Sequence, residues 1–263
     1  MGTDNPGMQA SPAPAALDLN ADLGEGCAGE AQILPWISSA NIACGGHTGN
    51  AASMRASIAR ALAHGVAVGA HPSYADPVHF GRQAQALTPA LLSALGGQLA
   101  RQLQDFQQAA QQEGATPRHV KPHGALYNQA AQEPRLIALL LALLPREAPG
   151  LALVALARSP LAQAARQAGL TVREEGFADR RYTAAGTLLP RSEPGAVLEA
   201  LDEGVAQGLA LARGTPIQAQ DGSPLQLRID TLCVHGDGLA ALPLVRALNE
   251  SLRAAGLSVR APD

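Results

Sequence analysis

Residues 15–26 read AALDLNADLGEG, and this stretch decides the fold. An apolar run carries Asp18, Asn20 and Asp22 at alternate positions, so in an extended chain the three side chains share one face. Glycines follow at once, where a turn and a close backbone approach are expected. Polar groups facing the inside of a strand, with a tight loop at its C-terminal end, suit a strand that opens into a pocket.

The pattern recurs along the chain. Further short apolar runs lie at 38–44, 65–70, 118–121, 151–157, 170–175 and 228–234, each followed by a helix-like stretch. Helices are expected near 30–37, 50–64, 88–113, 124–146, 159–168, 194–213 and 238–255. Seven strand-then-helix units without consecutive hairpins indicate parallel strands joined by right-handed crossovers. Polar residues gather at the end of nearly every strand, which favours a closed α/β barrel of the (βα)7, TIM-like type over an open sheet with one switch point. Two short segments split by DGSP, near 217–227, read as a hairpin inserted before the last strand. Residues 1–14 are expected to form a disordered tail and residues 15–263 a single domain.

Composition narrows the function. A chain of 263 residues that is 47% hydrophobic can enclose one large core. Its formal net charge of −3 supplies no basic field, so neither nucleic acid nor an anionic membrane is the expected partner. Cys27, Cys44 and Cys233 are too scattered for a disulfide framework or a four-thiolate zinc site. Neither a signal-peptide pattern nor an apolar run of about 20 residues is present, and a cytoplasmic location is expected.

The chemistry concentrates in glycine- and proline-rich loops: GEG (24–26), CGGHTG (44–49), GAHP (69–72), KPHG (121–124) and HGDG (235–238). Five such loops with ionisable residues point to one shared site. Strand parity puts His119, Lys121 and His123 together, and likewise Arg173 with Glu175, and Cys233 with His235 and Asp237. Eighteen arginines accompany a single lysine, Lys121, at the end of a buried-looking strand. A compact ammonium and a planar guanidinium are least interchangeable there. Asp22, His47 and His71 offer a carboxylate and two imidazoles for a divalent metal, with hydrogen-bonding and acid–base roles as the alternative. No phosphate-binding loop ending in Gly-Lys-Ser/Thr and no serine elbow is found.

Taken in order, DLNADLGEG, SSANIACGGHTGN, GAHPSYADPVHFGRQ, HVKPHGALYN, EGFADRRYTAAGTLLPR and TLCVHGDG resemble the LamB/YcsF family, from about residue 16 to residue 257. The resemblance implies a barrel related to glycoside hydrolases and polysaccharide deacetylases. It also implies the role of the A component of a 5-oxoprolinase, which works with subunits B and C and consumes ATP, as its Mg2+ complex, to open 5-oxo-L-proline to L-glutamate. Two alternatives stay open, a metal-dependent deacetylase or amidohydrolase and a non-catalytic scaffold for the complex. The chain departs from the family pattern at Asn50, Gln83 and Cys27.

The reading assigns Asp22, Lys121, His123 and Glu175 to catalysis. Asp18, Asn20, Asn41, Arg180, His235 and Asp237 are expected to bind substrate; for Asp179 and Arg180 the alternative is an adjacent, partly exposed charge pair with structural value only. Lys121→Met is expected to fold almost normally and to lose activity.

Overall fold

The computed structural model describes residues 16–235 and 241–262. The expected tail at 1–14 and the candidate Asp237 lie outside the described residues. In chain order the elements begin with β1 (Ala16–Leu23), α1 (Glu30–Ile33), β2 (Ser39–Ala43), α2 (Ala51–Ala63), β3 (Ala67–His71) and α3 (Pro89–Gln112). Next come β4 (His119–Val120), α4 (Gly124–Ala130), α5 (Pro134–Glu147), β5 (Ala152–Leu156), α6 (Pro160–Gln167) and β6 (Val172–Phe177). The chain continues through α7 (Leu201–Arg213), a hairpin of β7 (Ile217–Gln218) and β8 (Pro224–Leu225), β9 (Thr231–Cys233), α8 (Ala241–Ala254) and β10 (Ser258–Val259).

β1 to β6 pair in sequence order, all parallel, and β9 lies between β6 and β1. The pairings Asp18↔Thr231 and Asn20↔Cys233 close the ring into a seven-stranded barrel. β10 adds a short parallel edge beside the start of β1. In β1, Leu17, Leu19, Ala21 and Leu23 belong to the apolar core, while Asp18, Asn20 and Asp22 hydrogen-bond to side chains of other barrel strands. Both faces are therefore buried.

The helices supply the outer apolar layer. α3 buries Leu95, Leu99, Leu103 and Phe106, a stripe at helical spacing, and α8 does the same with Leu244, Val245, Leu248 and Leu252. Thr88 starts α3 by accepting a hydrogen bond from the Leu91 N–H, with Pro89 in the first turn. No helix among the described residues is long and apolar enough to cross a membrane.

Two expected helices change and one short strand is added. The helix expected over 124–146 is two helices, because Pro134 lacks an N–H and disfavours helical backbone at Glu133, whose carboxylate instead caps α5. α7 starts at Leu201 rather than near 194, since residues 179–198 form a strap in which the Leu198 N–H bonds to the Asp179 carbonyl. The two-residue β10 carries too little periodicity to be read in advance.

Two positions can be tested by stability. A methyl group at Gly69 would run into the His119 ring, which lies across β3. Gly69→Ala is expected to cost about 1–3 kcal/mol through overpacking, and an unchanged urea midpoint would show that His119 is not packed there. Asn50 caps α2 by accepting from the Ala52 and Ser53 N–H groups, and Ser53 completes a capping box. Asp caps about as well as Asn, so Asn50→Asp should leave the midpoint within about 0.5 kcal/mol, while Asn50→Ala should cost about 1 kcal/mol.

Candidate active site

Polar side chains stack along the barrel axis in layers. At the base, Asp18 accepts hydrogen bonds from Ser38, Ser39 and Thr231 at 2.6–2.8 Å. Burial raises its pKa above the usual carboxylate value, against the opposing effect of these hydroxyls. One layer up, Asn20 donates to Glu175 and Thr231, and Asn41 donates to Asn20 and Asp22. Asn41 also accepts from His119 at 2.7 Å.

Lys121 occupies the next layer. Its ammonium lies 2.9 Å from Glu175 Oε1 and 3.1 Å from Asp22 Oδ1, and it also donates to Asn20 and Cys233. The residue is only 3% exposed, so the charge is held by these partners rather than by water. Burial disfavours the ammonium, but the charges of Asp22 and Glu175 outweigh it and lift the pKa well above the usual lysine value. Burial likewise opposes ionisation of Asp22, where His71 and Lys121 win and hold its pKa well below the usual range.

Above Lys121 sits a group of four electron-pair donors. His71 Nδ1 lies 2.7 Å from the Lys121 carbonyl and His123 Nε2 lies 2.9 Å from the Phe80 carbonyl. A carbonyl only accepts, so both of these nitrogens carry hydrogen. In the neutral rings, His71 Nε2 and His123 Nδ1 are then lone pairs, and they face each other at 2.9 Å. Asp22 Oδ2 is 3.4 Å from the first and Glu25 Oε1 is 3.4 Å from the second. Burial and the charges of His71 and His47 push the His123 pKa well below its usual value, so a proton is poorly held on that ring. Imidazoles anchored through their second nitrogen to backbone carbonyls, converging with two carboxylates, fit a divalent cation.

The backbone around this group is shaped to hold it. Phe80 is in the left-handed region, φ 54°, which a bulky residue rarely adopts, and this conformation aims its carbonyl at His123. A side chain at Gly81 would press on His47 and His123. The Phe80 ring packs edge-on against both of those imidazoles.

Asp22, His71, Lys121, His123, Arg180 and His235 line one cavity of about 600 Å³ at the C-terminal ends of the strands. Arg82, Gln83, Tyr127, Phe177, Leu188, Pro190 and Arg191 complete much of its wall. Asp18, Asn20, Asn41 and Glu175 do not line it. They lie beneath the floor, where Asn20, Asn41 and Glu175 bond to Lys121, Asp22 and one another and Asp18 bonds to Ser38, Ser39 and Thr231, so the expectation that they touch substrate is replaced by a supporting position. His47 is beside the donor group rather than in it, bonded to Ser73 and Glu25 and stacked on His123 at 3.6 Å. Arg173 reaches a different cavity, at the other end of the barrel from Glu175's cluster.

Asp179 pairs with His235 rather than with Arg180, so the alternative of an Asp179–Arg180 charge pair falls away. His235 Nδ1 is 2.8 Å from Asp179 Oδ2, and the His235 ring stacks on Phe177. Burial alone would raise the Asp179 pKa, but the charge of His235 outweighs it and lowers the value. The Arg180 guanidinium donates to the Leu189 and Ala196 carbonyls, and burial and the neighbouring charge of Arg191 bring its pKa down to about 10.

Glu25, Tyr127 and Arg191 escaped the strand-parity argument because all three lie outside the barrel strands. Glu25 follows Gly24, whose φ of 78° turns the chain back over the barrel mouth. Gln83, one of the departures from the family pattern, does line the cavity, whereas Asn50 is a helix cap and the Cys27 N–H donates to Glu30.

Removing the central charge gives a sharp test. Lys121→Met leaves Asp22 and Glu175 as buried, uncompensated carboxylates, which should destabilise the fold by about 3–5 kcal/mol. This revises the expectation of near-normal folding. An unchanged denaturation midpoint at neutral pH would show that the ion-pair network contributes nothing to the fold.

The LamB/YcsF family model matches residues 17–263. A lactam utilization protein from Thermus thermophilus is 38% identical, with a TM-score of 0.84 over 94% of this chain and 100% of that one. A family 4 carbohydrate esterase from Streptomyces lividans is 14% identical, with a TM-score of 0.49 over 94% of this chain and 92% of the esterase. On the match over residues 17–263 and the 38% identity across the whole of the Thermus protein, this chain belongs to the LamB/YcsF family.

Proposed function

We propose that this protein is a hydrolase of cyclic amides, the A component of a 5-oxoprolinase that opens 5-oxo-L-proline to L-glutamate. The observation that carries the reading is the single cavity in which Asp22, Lys121, His123, His235 and Arg180 meet, in a chain 38% identical to a lactam utilization protein. In this reading ATP, as its Mg2+ complex, phosphorylates the oxygen of the resonance-stabilised lactam, water then opens the ring to a γ-glutamyl phosphate, and a second water releases phosphate and glutamate. Subunits B and C are the partners, because this sequence has no recognisable nucleotide loop. The site of action is cytoplasmic.

His235 is the proton carrier. Asp179 fixes its Nδ1–H, which leaves Nε2 as the basic nitrogen. Nε2 takes a proton from the attacking water as the new C–O bond forms, then returns it to the lactam nitrogen as the C–N bond breaks. Arg180 and Arg191 bind the substrate carboxylate, and Arg82, stacked on Phe80, also lines the cavity. Lys121 acts through Asp22, keeping that carboxylate ionised and fixed, since its own donors are already engaged. Asp22, Glu25, His71 and His123 would hold a divalent metal, which when bound would polarise the amide carbonyl or acidify a water.

The same donor group favours a second reading, a metal-dependent amidohydrolase or deacetylase that needs no ATP. A scaffold role within the complex is the third.

Purified chain with subunits B and C, 5-oxoproline, ATP and magnesium should release glutamate, and the chain alone should not. Asp179→Asn and His235→Gln should each lower the rate of the reconstituted complex by about 10²–10⁴-fold with little change in stability. Full turnover by the chain alone without ATP would transfer the assignment to the amidohydrolase reading. Unchanged rates in both variants would remove His235 as the proton carrier.

A further inference from the structure

Three of the four donors above Lys121 stand on or beside the barrel strands: Asp22 in β1, His71 at the end of β3 and His123 just before α4. The fourth, Glu25, stands in a loop between Gly24 and Gly26, whose φ values of 78° and 76° are left-handed. A segment rich in glycine loses the most backbone freedom when it is fixed. Yet Glu25 is only 9% exposed, and its Oε1 lies 3.1 Å from His47 and 3.4 Å from His123. Something must hold this loop in place.

The left-handed turns aim the backbone N–H groups of Gly24, Glu25 and Cys27 toward one spot, a concavity of the kind that takes an anion. The carboxylate of Glu30 fills it. Its Oε2 accepts from the Gly24 N–H at 2.9 Å, while Oε1 accepts from the Glu25 N–H at 2.9 Å and the Cys27 N–H at 3.0 Å. Hydrogen bonds to an ionised acceptor are roughly twice as strong as neutral ones. Without this carboxylate, three N–H dipoles would converge with no acceptor between them, and the loop would open. Glu25 would then swing away from the imidazoles, while Asp22, His71 and His123 would stay with the barrel.

We infer that Glu30 is a positioning residue, which sets the affinity of the upper cavity for a divalent metal through Glu25 without itself touching the ion. The inference rests on the metal-holding part of the reading above and holds for any substrate. Residues that support a metal ligand in this way typically contribute about 10–100-fold in affinity.

Titration of the chelator-treated full chain with Co2+, followed by visible absorbance, tests it. The wild-type chain should bind Co2+ saturably and develop an absorption band. Glu30→Ala should bind about 10–100-fold more weakly, with an altered band, because the Glu25 oxygen no longer reaches the ion. Glu30→Gln, which turns an amide N–H toward the backbone donors, should shift both readings in the same direction. In a chain that already carries Glu25→Ala, adding Glu30→Ala should change the affinity little, since the route through Glu25 is already cut. Thr88→Ala, which removes the cap of α3, should leave affinity and band unchanged. Thermal melts establish that each variant folds, and Glu30→Gln decides if Glu30→Ala does not. Wild-type affinity and band in the folded Glu30 variants overturn the inference alone, as does an equal loss with and without Glu25. A wild-type chain that binds no Co2+ overturns the metal reading and this inference with it.

Discussion

One ammonium group ties the barrel together. Lys121 stands at the end of β4 and reaches Asp22 and Asn20 on β1, Glu175 on β6 and Cys233 on β9. Four strands from different parts of the chain thus meet on a single charge. Removing charges from water is costly, and the mutual attraction offsets that only where geometry and hydrogen bonding are good. The surroundings meet that condition: Asn20 and Asn41 bond to one another and to the carboxylates beside Lys121. A compact ammonium with three donors fits among two carboxylates, an amide oxygen and a thiol, where a planar fork would not.

This central charge explains why the barrel interior is polar while the protein still has a large core. Apolar burial lies outside the barrel, between the strands and helices such as α3, α5 and α8. The inside is left to hydrogen bonds and ion pairs that set geometry. Gly69 makes room for it beneath His119, while Gly176 lets Ile229 and Leu211 pack close on the outer, apolar side. The division separates stability, which the helices supply, from the placement of reactive groups, which the polar column supplies.

At the mouth, placement continues through backbone rather than side chains. The carbonyls of Lys121 and Phe80 decide which nitrogens of His71 and His123 carry hydrogen, and so direct two lone pairs toward Asp22 and Glu25. Phe80 holds an unfavourable φ to do this, and the close approach of Gly124 to the Gly81 carbonyl leaves no room for a side chain. Strain of this kind survives only where the surrounding contacts over-determine it.

The sequence by itself determined the strand–helix alternation, the closed parallel barrel and the inward parity of Asp18, Asn20, Asp22, His119 and Lys121. These follow from local rules, a two-residue period in strands and turn chemistry in glycine-rich loops, which act over a few residues. It also singled out Lys121 and the histidine loops. Only the tertiary structure decided which of these groups reach the cavity and which lie under its floor. Depth along the barrel depends on strand register, and register is set by pairings such as Asp18↔Thr231, between residues at opposite ends of the chain. Asp179 became the partner of His235 rather than of Arg180 for the same reason. Glu25, Tyr127 and Arg191 enter the site from loop, helix and strap, where side-chain direction follows the path of the backbone and no period announces it.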